Sequence, residues 1–117
     1  MKLKWAALYS FALLFVFSAV GFLRAETGEG NYKKLCVKCH GEAGKGDGPA
    51  AKMLKGQAMG DLSSKAAMSK MSDPDLAKLI SEGGAAVGKS KVMPAHKDKM
   101  SDADIKAVVT YIKTLQK

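Results

Sequence analysis

Two cysteines and a histidine form the most informative cluster in the sequence. The segment Cys36-Val37-Lys38-Cys39-His40 places two thiols three residues apart and an imidazole directly after the second thiol. On one helical turn, thiols at this spacing point to the same side, where both can form thioethers with the vinyl groups on one edge of a porphyrin. The histidine can then reach the iron from the same face. This CxxCH pattern is typical of covalent c-type haem attachment.

Cys36, Cys39 and His40 could also serve three other purposes: a disulfide, a thioredoxin-like redox pair or a zinc site. A disulfide between Cys36 and Cys39 would close a very small loop, so it would stabilise the chain little. A thioredoxin-like redox pair needs a βαβ context, which this sequence does not predict. A zinc site needs a further ligand beside Cys36, Cys39 and His40; His96 could supply it, but the spacing matches no common zinc finger. Haem attachment is therefore the preferred interpretation.

The second axial position on such an iron has several candidates, because the chain contains seven methionines. Met93 is preferred, since it lies on a long loop and precedes Pro94, which cannot continue a helix. Met59, Met100 and His96 are weaker candidates, and an open iron is a further alternative. We expect His96 to be a solvated loop side chain. Three other methionines are expected to have core or helix roles: Met53, Met68 and Met71.

Hydrophobic periodicity predicts about four helices and no strand, so the predicted fold class is all-α with long loops. The first helix is expected over Glu29–Cys39, and the Gly-rich loop Gly41–Gly48 follows it. Pro49 suits the first position of a second short helix over Ala50–Lys55. The next stretch, Gly56–Met71, has no clear period and is expected to be mostly irregular.

Two capping signals delimit the helices of the second half. The segment SDPD, which begins at Ser72, has the form of a capping box and predicts a helix over Asp73–Glu82. A loop is expected over Gly83–Met100. The segment SDAD, which begins at Ser101, repeats the capping signal before the last helix. That helix carries an apolar stripe formed by Ile105, Val108, Val109, Ile112 and Leu115.

The amino-terminal segment has the pattern of an export signal. Lys2 and Lys4 precede Trp5–Leu23, a run of 19 residues without a charge. A run of this length, at about 1.5 Å per residue, would reach nearly 30 Å as a helix, which is enough to span a bilayer. We therefore expect residues 1–25 to be a signal peptide or an uncleaved membrane anchor, with one domain over residues 26–117. Both outcomes place the domain outside the cytoplasm, in the periplasm or on the outer face of the plasma membrane.

The domain is short and basic. All 11 acidic residues and 16 of the 19 Lys and Arg residues lie beyond residue 25, which leaves the domain a charge of +5. A domain of this size excludes a multidomain enzyme. Nucleic acid is not an expected partner, because no basic run is dense and only Tyr32 and Tyr111 remain as aromatics for stacking. A lysine-rich face instead favours steering of acidic partners.

From about Gly28 to Leu115, the chain resembles a class I cytochrome c, the small bacterial monohaem c-type cytochromes in particular. Gly28 and Tyr32 stand eight and four residues before Cys36, similar to the glycine and aromatic of the family's first helix. CVKCHG is followed by GKGDGPAA, as in many small bacterial members. VMPAHKDKMSDADIKAVVTYIKTL resembles the family's distal-methionine loop and last helix.

This resemblance implies a cytochrome c fold around one covalently bound haem c. Cys36 and Cys39 would hold the haem through thioethers. His40 would be the proximal iron ligand and Met93 the distal one. The carbonyl of Pro49 would accept a hydrogen bond from the His40 ring and so fix the orientation of that ring.

The resemblance also implies a close contact between the first and last helices. Gly28 and Tyr32 would pack against the last helix near Val108 and Tyr111. One departure is His96, because the family often has an aromatic residue soon after the MPA element. With His96 in place of an aromatic residue, the sequence does not predict how this part of the haem is shielded from water.

The expected function is that of a monohaem electron carrier, not an enzyme. Its partners would be redox protein donors and acceptors with acidic docking surfaces. The protein is expected to be a monomer. It would contact a membrane only if its amino-terminal anchor is retained. The main alternative is a haem enzyme or gas sensor with a displaceable sixth ligand, and a haem-free structural or metal-binding module is a weaker one. Six lysines are candidates for a position near the exposed haem edge: Lys38, Lys45, Lys52, Lys89, Lys91 and Lys97.

Overall fold

The computed structural model describes residues 27–54 and 59–117, and no strand occurs in these two ranges. It contains the α-helices α1 Gly28–Leu35, α2 Val37–His40, α3 Lys65–Met68, α4 Asp73–Glu82 and α5 Asp102–Thr114, together with two 3-10 helices, Pro49–Met53 and Ala85–Val87. The all-α prediction is confirmed. Of the helices in the described ranges, none is long and apolar enough to cross a membrane. The predicted export segment, residues 1–25, lies outside the described residues.

The predicted first helix is divided in two at Cys36. This residue has φ −114° and ψ −36°, away from ideal helical values, and it separates α1 from α2. Hydrogen bonds still run across the division, because the Cys36 N–H donates to the Tyr32 carbonyl and the His40 N–H to the Cys36 carbonyl, both at 2.9 Å. The side chain of Thr27 begins α1 by accepting a 3.0 Å bond from the Gly30 N–H.

Both predicted capping boxes are present, and both helices begin where the sequence indicates. The Ser72 hydroxyl accepts a 3.2 Å bond from the Asp75 N–H, while the Asp75 carboxylate accepts one from the Ser72 N–H. Ser101 and Asp104 repeat this arrangement at the start of α5. These reciprocal bonds satisfy N–H groups that the first turn of a helix leaves unpaired.

The segment between α2 and α4 is less regular, as the sequence predicts. Pro49 opens a 3-10 helix that ends at Met53, shorter than the predicted Ala50–Lys55, whose last residue lies outside the described ranges. The short helix α3 was not predicted, because one helical turn carries no detectable period. The Ser64 hydroxyl caps it by accepting a 3.2 Å bond from the Ala67 N–H.

The core forms mainly where α1 and α4 pack against α5. Four residues of the predicted apolar stripe are buried there, Ile105, Val108, Val109 and Ile112, and Leu115, just after α5, is partly buried. The backbones of α1 and α5 meet at Gly28, where a Cβ would overlap the Ala107 carbonyl and lie 3.1 Å from the Val108 nitrogen. One turn further on, the Tyr32 and Tyr111 rings have centroids 5.2 Å apart and planes inclined at 54°. The predicted contact between the first and last helices is therefore confirmed.

Candidate cofactor site

A cavity of about 410 Å³ lies beside the core. Its size falls within the range of about 300–1,000 Å³ that is usual for small-molecule and cofactor sites. Much of its wall is aliphatic or thioether in character, and this part includes Leu35, Met68, Leu76, Leu79, Ile80 and Ile112. Such a wall suits a large, flat, apolar ligand, because burying both surfaces removes apolar area from water.

The structure brings four of the five predicted site residues to this cavity. Cys36, Cys39 and His40 line it from the segment that joins α1 to α2, and Met93 lines it from the loop between α4 and α5. Two thiols, an imidazole and a thioether therefore face one apolar space. These are the donor types that c-type haem attachment and axial ligation need.

The Gly-rich loop holds the cysteine–histidine helix from its carboxyl end. The Gly46 N–H donates to the His40 carbonyl at 2.8 Å, and the Gly48 N–H donates to the Cys39 carbonyl at 3.1 Å. A Cβ on Gly48 would overlap carbonyls of α2, so only glycine allows this approach. These bonds satisfy carbonyls that the end of α2 leaves unpaired. They fix the direction in which α2 presents its side chains.

Burial sets the protonation of the groups on this wall. Burial, together with the smaller effect of the Cys39 charge, raises the pKa of the Cys36 thiol to about 11. Burial also lowers the pKa of His40 below its usual value; a hydrogen bond to the Gly60 backbone opposes this effect and the nearby His96 adds to it. The His40 ring is therefore held in its neutral form, which is the form that binds a metal ion.

The expected hydrogen bond between the Pro49 carbonyl and the His40 ring is not made in this structure. The His40 Nδ1 atom is buried and has no hydrogen-bond partner in the described part of the chain. Pro49 is exposed and does not line the cavity. The ring has a backbone hydrogen bond with Gly60 instead.

The methionines divide between cavity, core and surface. Met59, Met68 and Met71 line the cavity beside Met93. Met100 is 4% exposed and belongs to the buried core, not to the cavity wall, which weakens it as an iron ligand. Of the core or helix roles expected for Met53, the structure excludes the core: the residue lies in the 3-10 helix that Pro49 opens and is 85% exposed.

His96 differs most from its sequence-based prediction. It is 4% exposed and lines the cavity, so the expectation of a solvated loop side chain is wrong. Its Nδ1 lies 3.2 Å from the Ile80 carbonyl at the end of α4. No local pattern signals this burial, because the partner of the ring is 16 residues away along the chain.

The alternatives to a cofactor site find no support in the described geometry. Cys36 and Cys39 are both free thiols, so they form no disulfide in this structure. Within residues 27–54 and 59–117, no three His, Cys, Asp or Glu side chains are grouped to hold a metal ion, so His96 does not complete a zinc site. The same ranges contain no strand that could build the βαβ context of a thioredoxin-like pair.

A helical fold with a CxxCH segment on the wall of an apolar cavity defines the protein as a c-type cytochrome. Residues 25–116 match the family model of cytochrome c, and the chain belongs to this family. Members of the family carry covalently bound haem c, and the spacing of Cys36 and Cys39 is the one such attachment uses. The apolar wall and the donor set both fit this group.

Solved structures with the same fold are also c-type cytochromes. The KustC0563 c-type cytochrome is 23% identical, with a TM-score of 0.62 over 79% of this chain and 100% of its own. Cytochrome c6C from Synechococcus sp. PCC 7002 is 26% identical, with a TM-score of 0.54 over 76% of this chain and 93% of its own. A chain of the reducing HAO-like protein complex Kustc0457/Kustc0458 from Kuenenia stuttgartiensis is 23% identical, with a TM-score of 0.60, and the match covers 79% of this chain and 42% of that one. No curated protein matches the sequence significantly.

Proposed function

We propose that this cytochrome is a monohaem electron carrier that exchanges single electrons with other redox proteins outside the cytoplasm. The observation that supports this proposal most directly is the position of Met93, which lines the same cavity as the CxxCH segment. A haem iron with an imidazole and a thioether as axial ligands takes up and releases one electron, at a higher potential than one with two imidazoles.

Each site residue has one role in this proposal. Cys36 and Cys39 would hold the haem through thioethers, and His40 and Met93 would bind the iron. With both ligands bound, the haem would supply one-electron transfer and the site would not bind a substrate. The apolar wall would exclude water from the haem in both oxidation states.

The exposed lysines support the proposal that the partners are redox proteins with acidic docking surfaces. The six candidate lysines are all exposed, and one of them, Lys89, lines the cavity. A positive surface beside the cofactor speeds encounter with an acidic partner, and this effect weakens as salt screens the charges. We expect the reaction rate with an acidic redox protein to fall as ionic strength rises. Lys89→Gln should lower this rate more than Lys106→Gln, an exposed position on α5 that does not line the cavity.

The proposed location rests on the sequence alone. The positive start and the uncharged run within residues 1–25 support export, to the periplasm or to the outer face of the plasma membrane if the segment is retained. We also propose that the protein works as a monomer. Mass analysis of the mature chain locates its amino terminus, and sedimentation of the purified protein gives its oligomeric state.

The test of the carrier function is a set of visible spectra of the exported protein in both oxidation states. We expect a c-type haem spectrum, with the far-red band that a thioether sulfur gives when it binds ferric haem. Met93→Ala should abolish this band and lower the reduction potential. Met53→Ala is the matched control, because that methionine is 85% exposed and should leave both unchanged.

The same material distinguishes the carrier from a haem enzyme or gas sensor. An electron carrier with both axial positions filled should bind carbon monoxide poorly in the reduced state at neutral pH, whereas Met93→Ala should bind it readily. Ready binding of carbon monoxide by the unaltered protein would support a displaceable sixth ligand instead. A colourless exported protein would contradict the haem site altogether.

A further inference from the structure

Hydrogen bonds at Met93 itself and at His96 hold the loop that carries Met93 against the end of α4 and the glycine pair that follows it. The Gly84 N–H donates a 3.0 Å hydrogen bond to the Met93 carbonyl. Three residues further on, the His96 N–H donates to the Ile80 carbonyl at 3.0 Å, and Nδ1 of the same histidine lies 3.2 Å from this oxygen. We call residues 93–96 the methionine loop.

The bonds made by His96 and Lys97 use carbonyls that the end of α4 leaves unpaired. Ile80 and Ser81 lie in the last turn of α4, whose carbonyls have no partner within the helix. The Ile80 carbonyl accepts both bonds from His96, and the Ser81 carbonyl accepts the Lys97 N–H at 3.2 Å. The methionine loop is therefore held by the same groups that would otherwise remain unsatisfied in a buried region.

The His96 side chain adds a bond that an apolar residue of the same size could not make. Because a carbonyl oxygen only accepts hydrogen bonds, the proton must lie on Nδ1 of the ring. The side chain is 4% exposed, so water cannot replace this bond while the loop is closed. Without the ring donor, the Ile80 carbonyl keeps only the backbone N–H of His96 as its partner. The free energy of the closed loop then rises relative to that of the open loop.

We propose that His96 is a positioning residue for Met93: its ring, bonded to the Ile80 carbonyl, holds the methionine loop closed and thereby keeps the Met93 thioether in the cavity. This inference rests on the proposed role of Met93 as an iron ligand. His96 itself does not bind the iron in this arrangement. Its removal should increase the fraction of molecules in which the loop opens and the thioether leaves the iron.

The affinity of the ferric holoprotein for added imidazole measures this opening, because imidazole must displace the sixth ligand. His96→Phe keeps a ring of similar size and removes the donor. We expect it to bind imidazole about fivefold to tenfold more tightly than the unaltered protein, which corresponds to about 1–1.4 kcal/mol for one lost hydrogen bond. His96→Asn retains an N–H near the Nδ1 position and should stay within about threefold of the unaltered protein.

Val109→Ala is the control for a general loss of stability. Val109 is 4% exposed in the core and does not line the cavity. It should lower the free energy of unfolding without changing the affinity for imidazole. If His96→Phe changes only the free energy of unfolding, as Val109→Ala does, the histidine has a structural role alone and the proposal is overturned. The same conclusion follows if His96→Asn behaves like His96→Phe.

Met93→Ala separates this inference from the proposed function. If Met93→Ala raises the affinity for imidazole but His96→Phe does not, the iron ligand is correct and only the positioning role is overturned. If Met93→Ala has no effect, the ligand assignment fails and the positioning role fails with it.

A measurement on the unaltered protein covers the case in which His96→Phe does not accumulate with haem. In nitrogen-15 labelled protein, the Nδ1–H of His96 should exchange slowly with solvent. Saturation with imidazole should speed this exchange at least tenfold, because the loop must open to admit the ligand. Unchanged exchange under saturating imidazole would overturn the proposal.

Discussion

The hydroxyl of Tyr32 donates a 2.7 Å hydrogen bond to the carbonyl of Gly41. Tyr32 lies in α1 and is fully buried against α5, whereas Gly41 ends α2, the helix that carries His40. This bond connects the contact between the terminal helices to the cysteine–histidine segment. Burial, together with the neighbouring Cys36 thiol, holds the pKa of Tyr32 well above its usual range, so the hydroxyl remains a donor at all physiological pH values.

Tyr32→Phe should destabilise the protein without disturbing the packing of the ring. The substitution removes the shorter of two bonds to the Gly41 carbonyl and leaves the Gly44 N–H, at 3.2 Å, as its remaining donor. Losing one such bond costs about 0.5–1.5 kcal/mol. Unfolding by denaturant of the holoprotein measures this loss. Tyr111→Phe is the matched control, because its hydroxyl makes no hydrogen bond within the described part of the chain and its ring contact with Tyr32 is retained. Equal effects of the two substitutions would contradict a specific role for the bond to Gly41.

Gly28→Ala should prevent close packing of α1 on α5. The added Cβ would overlap the Ala107 carbonyl, so the two helix backbones must move apart. We expect a loss of about 1–3 kcal/mol, as for other overpacked core sites, although alanine is the better helix former. The midpoint of thermal unfolding reports this loss. A stability equal to or above that of the unaltered protein would show that the helices do not meet as described.

Ser72→Ala should destabilise α4 by about 1 kcal/mol and alter the acid dependence of stability. Hydrogen bonds from Ser72 lower the pKa of Asp75 below its usual value of 3.8. A lowered folded-state pKa contributes stability that is present above pH 3.8 and is lost as the pH falls through the folded-state value.

Below pH 3.8 the unaltered protein should therefore lose stability with acid more steeply than Ser72→Ala does. Denaturant unfolding of both proteins between about pH 5 and 2 checks this difference. Parallel pH profiles would contradict a contribution from the capping box of α4.

The domain should be largely unfolded when no haem is attached. The cavity would then expose apolar core side chains such as Leu76, Leu79 and Ile80 to water. Each aliphatic side chain contributes about 1.5–3 kcal/mol on burial, so a few of them approach the total stability of about 5–15 kcal/mol of a small domain.

The double variant Cys36→Ser, Cys39→Ser removes both attachment sites and should show low helix content by circular dichroism. Met93→Ala, which retains covalent attachment, should keep the native helix content and serves as the control. Native helix content in the double variant would refute the dependence of folding on the cofactor.

Features that arise within a few residues can be predicted from the amino-acid sequence alone. The CxxCH segment predicts its chemistry because the two thiols and the imidazole share one helical turn. Ser72 and Ser101 predict where α4 and α5 begin, since a capping box is completed within four residues. Gly28 and Tyr32 were placed at the contact with α5 by the family resemblance of their spacing, and the structure confirms that contact.

Features that depend on residues far apart in the chain become visible once the chain is folded. His96 is buried because its ring meets the Ile80 carbonyl across the loop. Met53 is 85% exposed, although the 3-10 helix that carries it contacts α2. The His40 ring has its hydrogen bond with Gly60 and not with Pro49 for the same kind of reason. A local sequence pattern predicts whether a segment forms a helix or a loop. The burial of its side chains and their hydrogen-bond partners depend on which distant segments pack together.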